Sequence, residues 1–330
     1  MVCILGDLHF RSDKDYFIAT CENVLSWFRE WKFNSEKNEL ILAGDLVEQA
    51  APGGLTISFL EKFVSYSRFR KIHICVGNHD DKKINGIQQL AYEFLSNKLN
   101  VIIYRVATET IIGDKKVLIL PYFTGINDSG MTMREYYSSI YKNPLFKNNY
   151  DLIVGHFSGP DVLFSDSPDC ASNLEKLNGR ICLGHIHTRN INPKRYIGSI
   201  FACKKSENDY TRAAWICDKS GKWSEDPLPL FNEFISVTYP QELPDTKALV
   251  PIYTVLNCGS EKIAKQKYGN IFIRRSTAFN NEDSKSSRLD LDRSFKPIKA
   301  FNIRELFNIY AKEACLDPEV VSKCEKYLKN

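Results

Sequence analysis

The chain has no Cys-x-x-Cys pair among its ten cysteines. That absence excludes a zinc-ribbon pattern, and the single, scattered placement of the cysteines excludes a disulfide framework. It has no apolar run near the ~18–20 residues that a membrane helix requires. The apolar start Met1-Val2-Cys3-Ile4-Leu5 ends at Gly6-Asp7 without a basic leader, so no secretory signal is expected. It also lacks a strong excess of charge: 44 basic against 40 acidic residues leave +4, which permits a nucleic-acid partner without indicating one. What is present is ordinary for a globular protein, with 43% hydrophobic and 25% charged residues, so a fibrous or wholly disordered chain is excluded. Cys3, Cys75 and Cys182 sit inside apolar runs and read as small buried hydrophobes. A reducing, cytoplasmic setting is expected. A length of 330 residues is too great for one compact core and suits two domains.

The first two thirds alternate short β-branched apolar runs with amphipathic stretches. Val2–Leu5, Leu40–Ala43, Ile72–Val76, Val117–Leu120, Leu152–Val154 and Ile181–Leu183 predict strands. Tyr16–Trp31, Thr56–Phe69 and Ile87–Asn97 predict helices between them. Such alternation implies an α/β sandwich with helices over the sheet faces. After Pro227 and Pro229 the pattern changes. Phe234–Tyr239, Ile252–Leu256 and Ile271–Arg275 read as strands and Glu261–Tyr268 as a helix, forming a small α+β appendage. Asn280–Ser287 reads as a polar linker. A helix carrying Ile303, Leu306, Phe307, Tyr310, Ala311 and Ala314 follows, then a second one capped by Asp317-Pro318. The expected division is 1–227, 228–285 and 286–330.

Five of the predicted strands end in glycine followed by a polar residue: Gly6-Asp7-Leu8-His9, Gly44-Asp45-Leu46-Val47-Glu48, Gly77-Asn78-His79-Asp80, Gly155-His156 and Gly184-His185-Ile186-His187. Glycine lets the chain turn sharply, including through φ > 0. The next side chain then stands at the carboxyl edge of the sheet, where open α/β folds place ligands. Five of the six histidines lie in these turns; His73, inside Lys71-Ile72-His73-Ile74-Cys75, is expected to belong to the fold. Imidazole, carboxylate and amide oxygen suit manganese, iron or zinc, and no thiolate is expected in the set to favour a soft metal.

In these motifs the sequence resembles the calcineurin-like metallophosphoesterases over roughly residues 1–205. The resemblance implies their β-sandwich flanked by helices and a site for two divalent ions: manganese first, with magnesium, iron and zinc as the other candidates. It implies Asp7, His9 and His187 on one ion, Asn78, His156 and His185 on the other, and Asp45 bridging. His79 would be the catalytic residue, facing the substrate phosphate. Asp80 and Glu48 would be partners that orient ligand imidazoles. Water made nucleophilic between two cations would attack phosphorus, without a covalent enzyme intermediate.

Protein phosphatases of this superfamily carry Gly-Asp-x-His-Gly, where this chain has Phe10, and Asp-Arg where it has Glu48-Gln49. Three features instead resemble the SbcD-like, or Mre-type, nuclease subunits. One is Arg195-Tyr196-Ile197-Gly198-Ser199, although Ile200 replaces the usual proline. The others are the α+β appendage, placed like a DNA-positioning capping domain, and the terminal helix pair. That resemblance implies a metal-dependent DNA exo/endonuclease of recombination and repair, of the phage type. It implies an SbcC-like coiled-coil ATPase partner held through about 300–330, and a homodimer within a heterotetramer. A stand-alone small-molecule or cyclic-nucleotide phosphodiesterase or phosphatase is the alternative.

Overall fold

The computed structural model describes residues 1–84, 87–122, 133–142, 149–159, 177–189, 192, 194–208, 211–258, 260–269 and 271–274. Its first half runs β1 (Val2–Leu5), α1 (Asp15–Glu30), β2 (Glu39–Leu42), α2 (Gly54–Tyr66), β3 (Lys71–Cys75), β4 (Asp81–Ile84), β5 (Ile87–Leu90), β6 (Val101–Tyr104), β7 (Thr108–Ile112) and β8 (Lys115–Leu120). Then follow α3 (Met133–Lys142), β9 (Leu152–His156), β10 (Arg180–Gly184), β11 (Ala213–Cys217), β12 (Trp223–Pro227), β13 (Asn232–Thr238), β14 (Val250–Leu256), α4 (Glu261–Tyr268) and β15 (Phe272–Ile273). The expected terminal helices and the 280–287 linker lie outside the described residues. Among the described residues no helix is long and apolar enough to cross a membrane.

Side-chain alternation along the strands builds the layers. Sheet β12-β11-β1-β2-β3-β6 turns Cys3, Leu5, Leu40, Leu42, Ile72 and Ile74 toward α1 and α2. Helix α1 answers with Phe17, Cys21, Val24, Leu25 and Phe28, one stripe at helical spacing. The opposite face of the sheet carries Val2, Ile4, Ile41 and Cys75. It packs on Val117, Ile119, Leu152, Val154 and Cys182 of sheet β10-β9-β8-β7. The outer face of that second sheet, with Leu118, Leu120, Ile153 and Leu183, is covered by Ile140 of α3. The result is a helix–sheet–sheet–helix sandwich.

Strands β1, β2, β3 and β6 run parallel, as do β8, β9 and β10, so their carboxyl ends gather at one edge. The appendage is a parallel sheet, β13-β14-β15, with α4. Part of it packs directly on the body. Phe234, Val250 and Ile252 join the cluster that contains Phe17 and Phe201.

One expected helix is corrected. Ile87–Asn97 instead holds β5, paired antiparallel with β4, and a 3-10 turn at Glu93–Asn97. Ile87, Leu90, Ala91, Phe94 and Leu95 mimic a helical stripe, but Leu90 and Leu95 are buried from a hairpin and a turn. Short apolar runs are ambiguous in this way.

His73 lies in the interior, its ring nitrogens 2.8 Å from the Tyr104 hydroxyl and 3.2 Å from Glu39 Oε2. Burial pushes its pKa down to about 4 against the pull of Glu39. A folded value below the unfolded one means that the unfolded chain binds the extra proton, so this residue lowers stability as pH falls through 6.5 toward 4. Between pH 7 and 5 it should cost about 2 kcal/mol. Urea denaturation at both pH values should show that loss reduced in His73→Gln; an identical loss in the variant would contradict the assignment.

Candidate metal centre

Glycine at these strand ends serves close approach more than turning. Of the five turn glycines only Gly44 has positive φ, +96°. At Gly184 a Cβ would stand 2.2 Å from the Ala43 carbonyl oxygen and 2.6 Å from Asp7 Oδ1, so a side chain there would split the sheet edge. The left-handed backbone is carried by functional residues instead: His9 (φ 43°), Asp45 (φ 47°) and His185 (φ 75°). Side chains other than glycine rarely adopt that region, and such strain concentrates at functional sites. Backbone bonds hold the turns together. His9 N–H donates to the Asp45 carbonyl at 2.9 Å, and Ile200 N–H to the Asp7 carbonyl at 3.0 Å.

The edge gathers two groups of donor atoms. In one, Asn78 Oδ1 lies 3.0 Å from His156 Nε2 and 2.9 Å from His185 Nδ1, while Asp45 Oδ2 lies 3.1 Å from His156 Nε2. In the other, His9 Nε2 and His187 Nε2 face each other at 2.9 Å. Asp45 Oδ2 stands between the groups, 3.6 Å from His9 Nε2. Asp7 Oδ1 accepts from His185 N–H at 3.1 Å, and Asp7 Oδ2 is buried without a hydrogen-bond partner among the described residues.

This donor set fits cations. His156 Nδ1 donates to the Ala43 carbonyl at 2.7 Å, so in the neutral ring Nε2 is a bare lone pair aimed at a carboxylate. His9 Nδ1 lies 3.0 Å from Glu48 Oε2 and His187 Nδ1 lies 3.0 Å from Glu207 Oε1. Both Nδ1 atoms lie near carboxylates, and the two Nε2 atoms face each other at hydrogen-bond distance. Ring nitrogens this close repel unless a proton or a metal ion sits between them. Titration tells the same story. Burial would lower His156, but Asp45, Asp7 and the Ala43 carbonyl raise it to about 10. Burial would raise Asp45, yet His156, His9 and His79 hold it well below the carboxylate range. Burial and the neighbouring His156 push His185 down to about 3, leaving a neutral imidazole. Divalent ions would replace the shared protons.

His79 takes a different place. Its backbone N–H donates to Asp45 Oδ1 at 2.8 Å and its Nδ1–H to the Glu48 carbonyl at 2.7 Å, which leaves Nε2 unengaged by that anchor. Glu48 lies between His9 and Arg11, its carboxylate 3.0 Å from His9 Nδ1 and 3.2 Å from the Arg11 guanidinium. Asp80 faces the backbone. It accepts from the amides of Leu46 (2.7 Å) and Gly77 (2.8 Å) and from the Tyr92 hydroxyl (2.9 Å). It therefore ties the Asp45 turn to the Asn78 turn through the backbone. Burial, then the charge of Asp45, raises its pKa.

A family model for calcineurin-like phosphoesterases matches residues 1–189. The chain belongs to that family. As a calcineurin-like phosphoesterase it is a hydrolase of phosphoric ester bonds that uses divalent metal ions, and the clustered His, Asp and Asn side chains are where such ions fit. No curated protein gives a significant match.

Two residues of this phosphoesterase's site were outside the sequence reading. Glu207 holds His187; burial would raise it, but the contact with His187 lowers its pKa to about 2. Cys203 Sγ falls within one 4.8 Å group with His9 and His187 nitrogens, which corrects the expectation that no thiol stands in the set. Both lie beyond the matched span, in a stretch with no motif of its own.

Proposed function

We propose that this phosphoesterase is the nuclease subunit of an SbcCD-like assembly, cutting DNA phosphodiesters with two manganese ions and partnered by a coiled-coil ATPase. Asp7, His9 and His187 would hold one ion, Asn78, His156 and His185 the other, and Asp45 both. A bound ion pair lowers the pKa of water and neutralises charge building on phosphate oxygens. Asp45 and Asp7 supply the negative charge that keeps two cations together in a buried pocket. His79, anchored through Nδ1–H, would give a proton from Nε2 to the leaving oxygen in its imidazolium form and be left as the neutral ring. Glu48 and Glu207 keep the His9 and His187 rings turned inward.

The observation that carries the choice of DNA is a cleft of about 750 Å³ between the phosphoesterase body and the appendage. Arg11, Lys14, Lys265 and Arg274 line it, together with Phe17 and Phe234. Cys203 belongs both to this cleft and to the group with His9 and His187, and Arg11 of the cleft pairs with Glu48 beside His9, so a strand lying in it would reach the donors. Asp13, Asp15 and Glu261 line the same cleft, which fits a subunit that leaves much of the DNA affinity to its ATPase. The Tyr196-x-Gly-Ser segment supports the same reading. Leu183 pairs with Tyr196, and Arg212 donates to the Ser199 hydroxyl at 2.7 Å, bracing the His187 turn.

The test compares the full chain with a variant lacking residues 300–330, each with manganese. The full chain should bind the ATPase and degrade linear duplex DNA with it. The shortened chain should lose the partner and retain hydrolysis of bis(p-nitrophenyl) phosphate. Cleavage of cyclic nucleotides with DNA left intact in every combination would contradict the proposal and favour the small-molecule enzyme.

A further inference from the structure

We propose that Cys203 adds a sulfur donor to the His9–His187 pole, so that this position holds thiophilic divalent ions, zinc and cadmium, more tightly than the other pole does. The inference rests on the two-cluster reading of the site and adds a ligand type which that reading lacks. Sγ of Cys203 and one nitrogen each of His9 and His187 all lie within 4.8 Å of one another. Donors around one tetrahedral zinc stand roughly 3.5–4 Å apart, close to this spacing, and zinc accepts mixed sets of cysteine sulfur and histidine nitrogen.

The placement is built into the fold. Glu207 is 5% exposed and lies against the Cys203 backbone and the His187 ring. Its Oε2 accepts the Cys203 N–H at 2.9 Å, and its Oε1 lies 3.0 Å from His187 Nδ1. A carboxylate behind a ligating imidazole fixes the ring and raises its basicity. The backbone of Glu207 is itself held by Arg212, whose guanidinium donates to its carbonyl and to Ser199 Oγ. Coordination would release the thiol proton to solvent. The resulting thiolate adds a negative charge and a soft donor at one pole only. Softness separates zinc and cadmium from manganese and magnesium more sharply than charge does. Among the described residues, the group of Asp45, His156 and His185 at the other pole includes no sulfur.

Cobalt reads this directly. Titrating the metal-free full chain with Co²⁺ should give visible ligand-field bands together with a near-ultraviolet sulfur-to-cobalt charge-transfer band. In Cys203→Ser the near-ultraviolet band should vanish while the visible bands remain. Losing an outer partner typically costs about 10–100-fold in metal affinity, and losing a direct sulfur donor should weaken Cd²⁺ by at least that much, with far less change for Mn²⁺. Cadmium NMR of the wild-type chain provides a measurement that needs no variant, since sulfur ligation moves the resonance well downfield of nitrogen and oxygen sites. Visible bands without a sulfur band, or a sulfur band that survives in Cys203→Ser, would overturn the inference and leave the two-cluster site standing. Failure to bind cobalt at all would overturn both.

Discussion

Replacing Asp45 with alanine should strip the protein of both its ions. Its Oδ2 stands 3.1 Å from His156 Nε2 in one donor group and 3.6 Å from His9 Nε2 in the other, so neither group is complete without it. Two divalent cations held about 4 Å apart repel strongly, and the carboxylate between them is what makes joint occupancy favourable. Metal analysis should fall from about two ions per chain toward none, with phosphodiesterase activity lost in parallel. Asp45→Asn separates charge from shape. It keeps an oxygen for the His79 amide yet removes the negative charge, and it should also lose the metals. Near-full metal content in either variant would mean that Asp45 is a structural acid only.

His79→Ala should behave in the opposite way. The contact between position 79 and Asp45 is made by the backbone amide, so it survives the substitution. The lost bond is Nδ1–H to the Glu48 carbonyl, at a partly exposed site. The metals should therefore stay, while kcat falls by ~10²–10⁴, the usual contribution of a general acid or base. KM should move little if His79 acts on the leaving oxygen rather than in ground-state binding. Activity within a few-fold of wild type would exclude the role.

Much of this was legible in the sequence because parallel strands impose it. Val2–Leu5 and Leu152–Val154 are apolar on alternate residues of both faces, which two-sided burial explains. Parallel pairing then brings Asp7, Asp45 and Asn78 to one edge, and pairing of β9 with β10 brings His156 and His185 to the same edge. The appendage was readable from its strands and helix; the structure adds that the Ser260 hydroxyl caps α4 by accepting from Ile263 N–H. What could not be read was whatever depends on contact across the chain. The β4–β5 hairpin looks helical locally and is decided by pairing. Asp80 looks like a neighbour of His79, yet its carboxylate faces the amides of the Asp45 turn. Cys203 and Glu207 belong to no motif; they reach His187 only because the chain after Ser199 folds back over it. The glycines, too, were readable as turns, but the need for a bare Cα at Gly184 comes from Ala43 and Asp7 across the edge.

Anomalous diffraction at the manganese edge from crystals soaked in that ion tests the central claim most directly. Two peaks should appear, one among Asp7, His9 and His187 and the other among Asn78, His156 and His185, with Asp45 touching both. A map with no peak there, and with His9 and His187 still facing each other across an empty gap, would contradict the account.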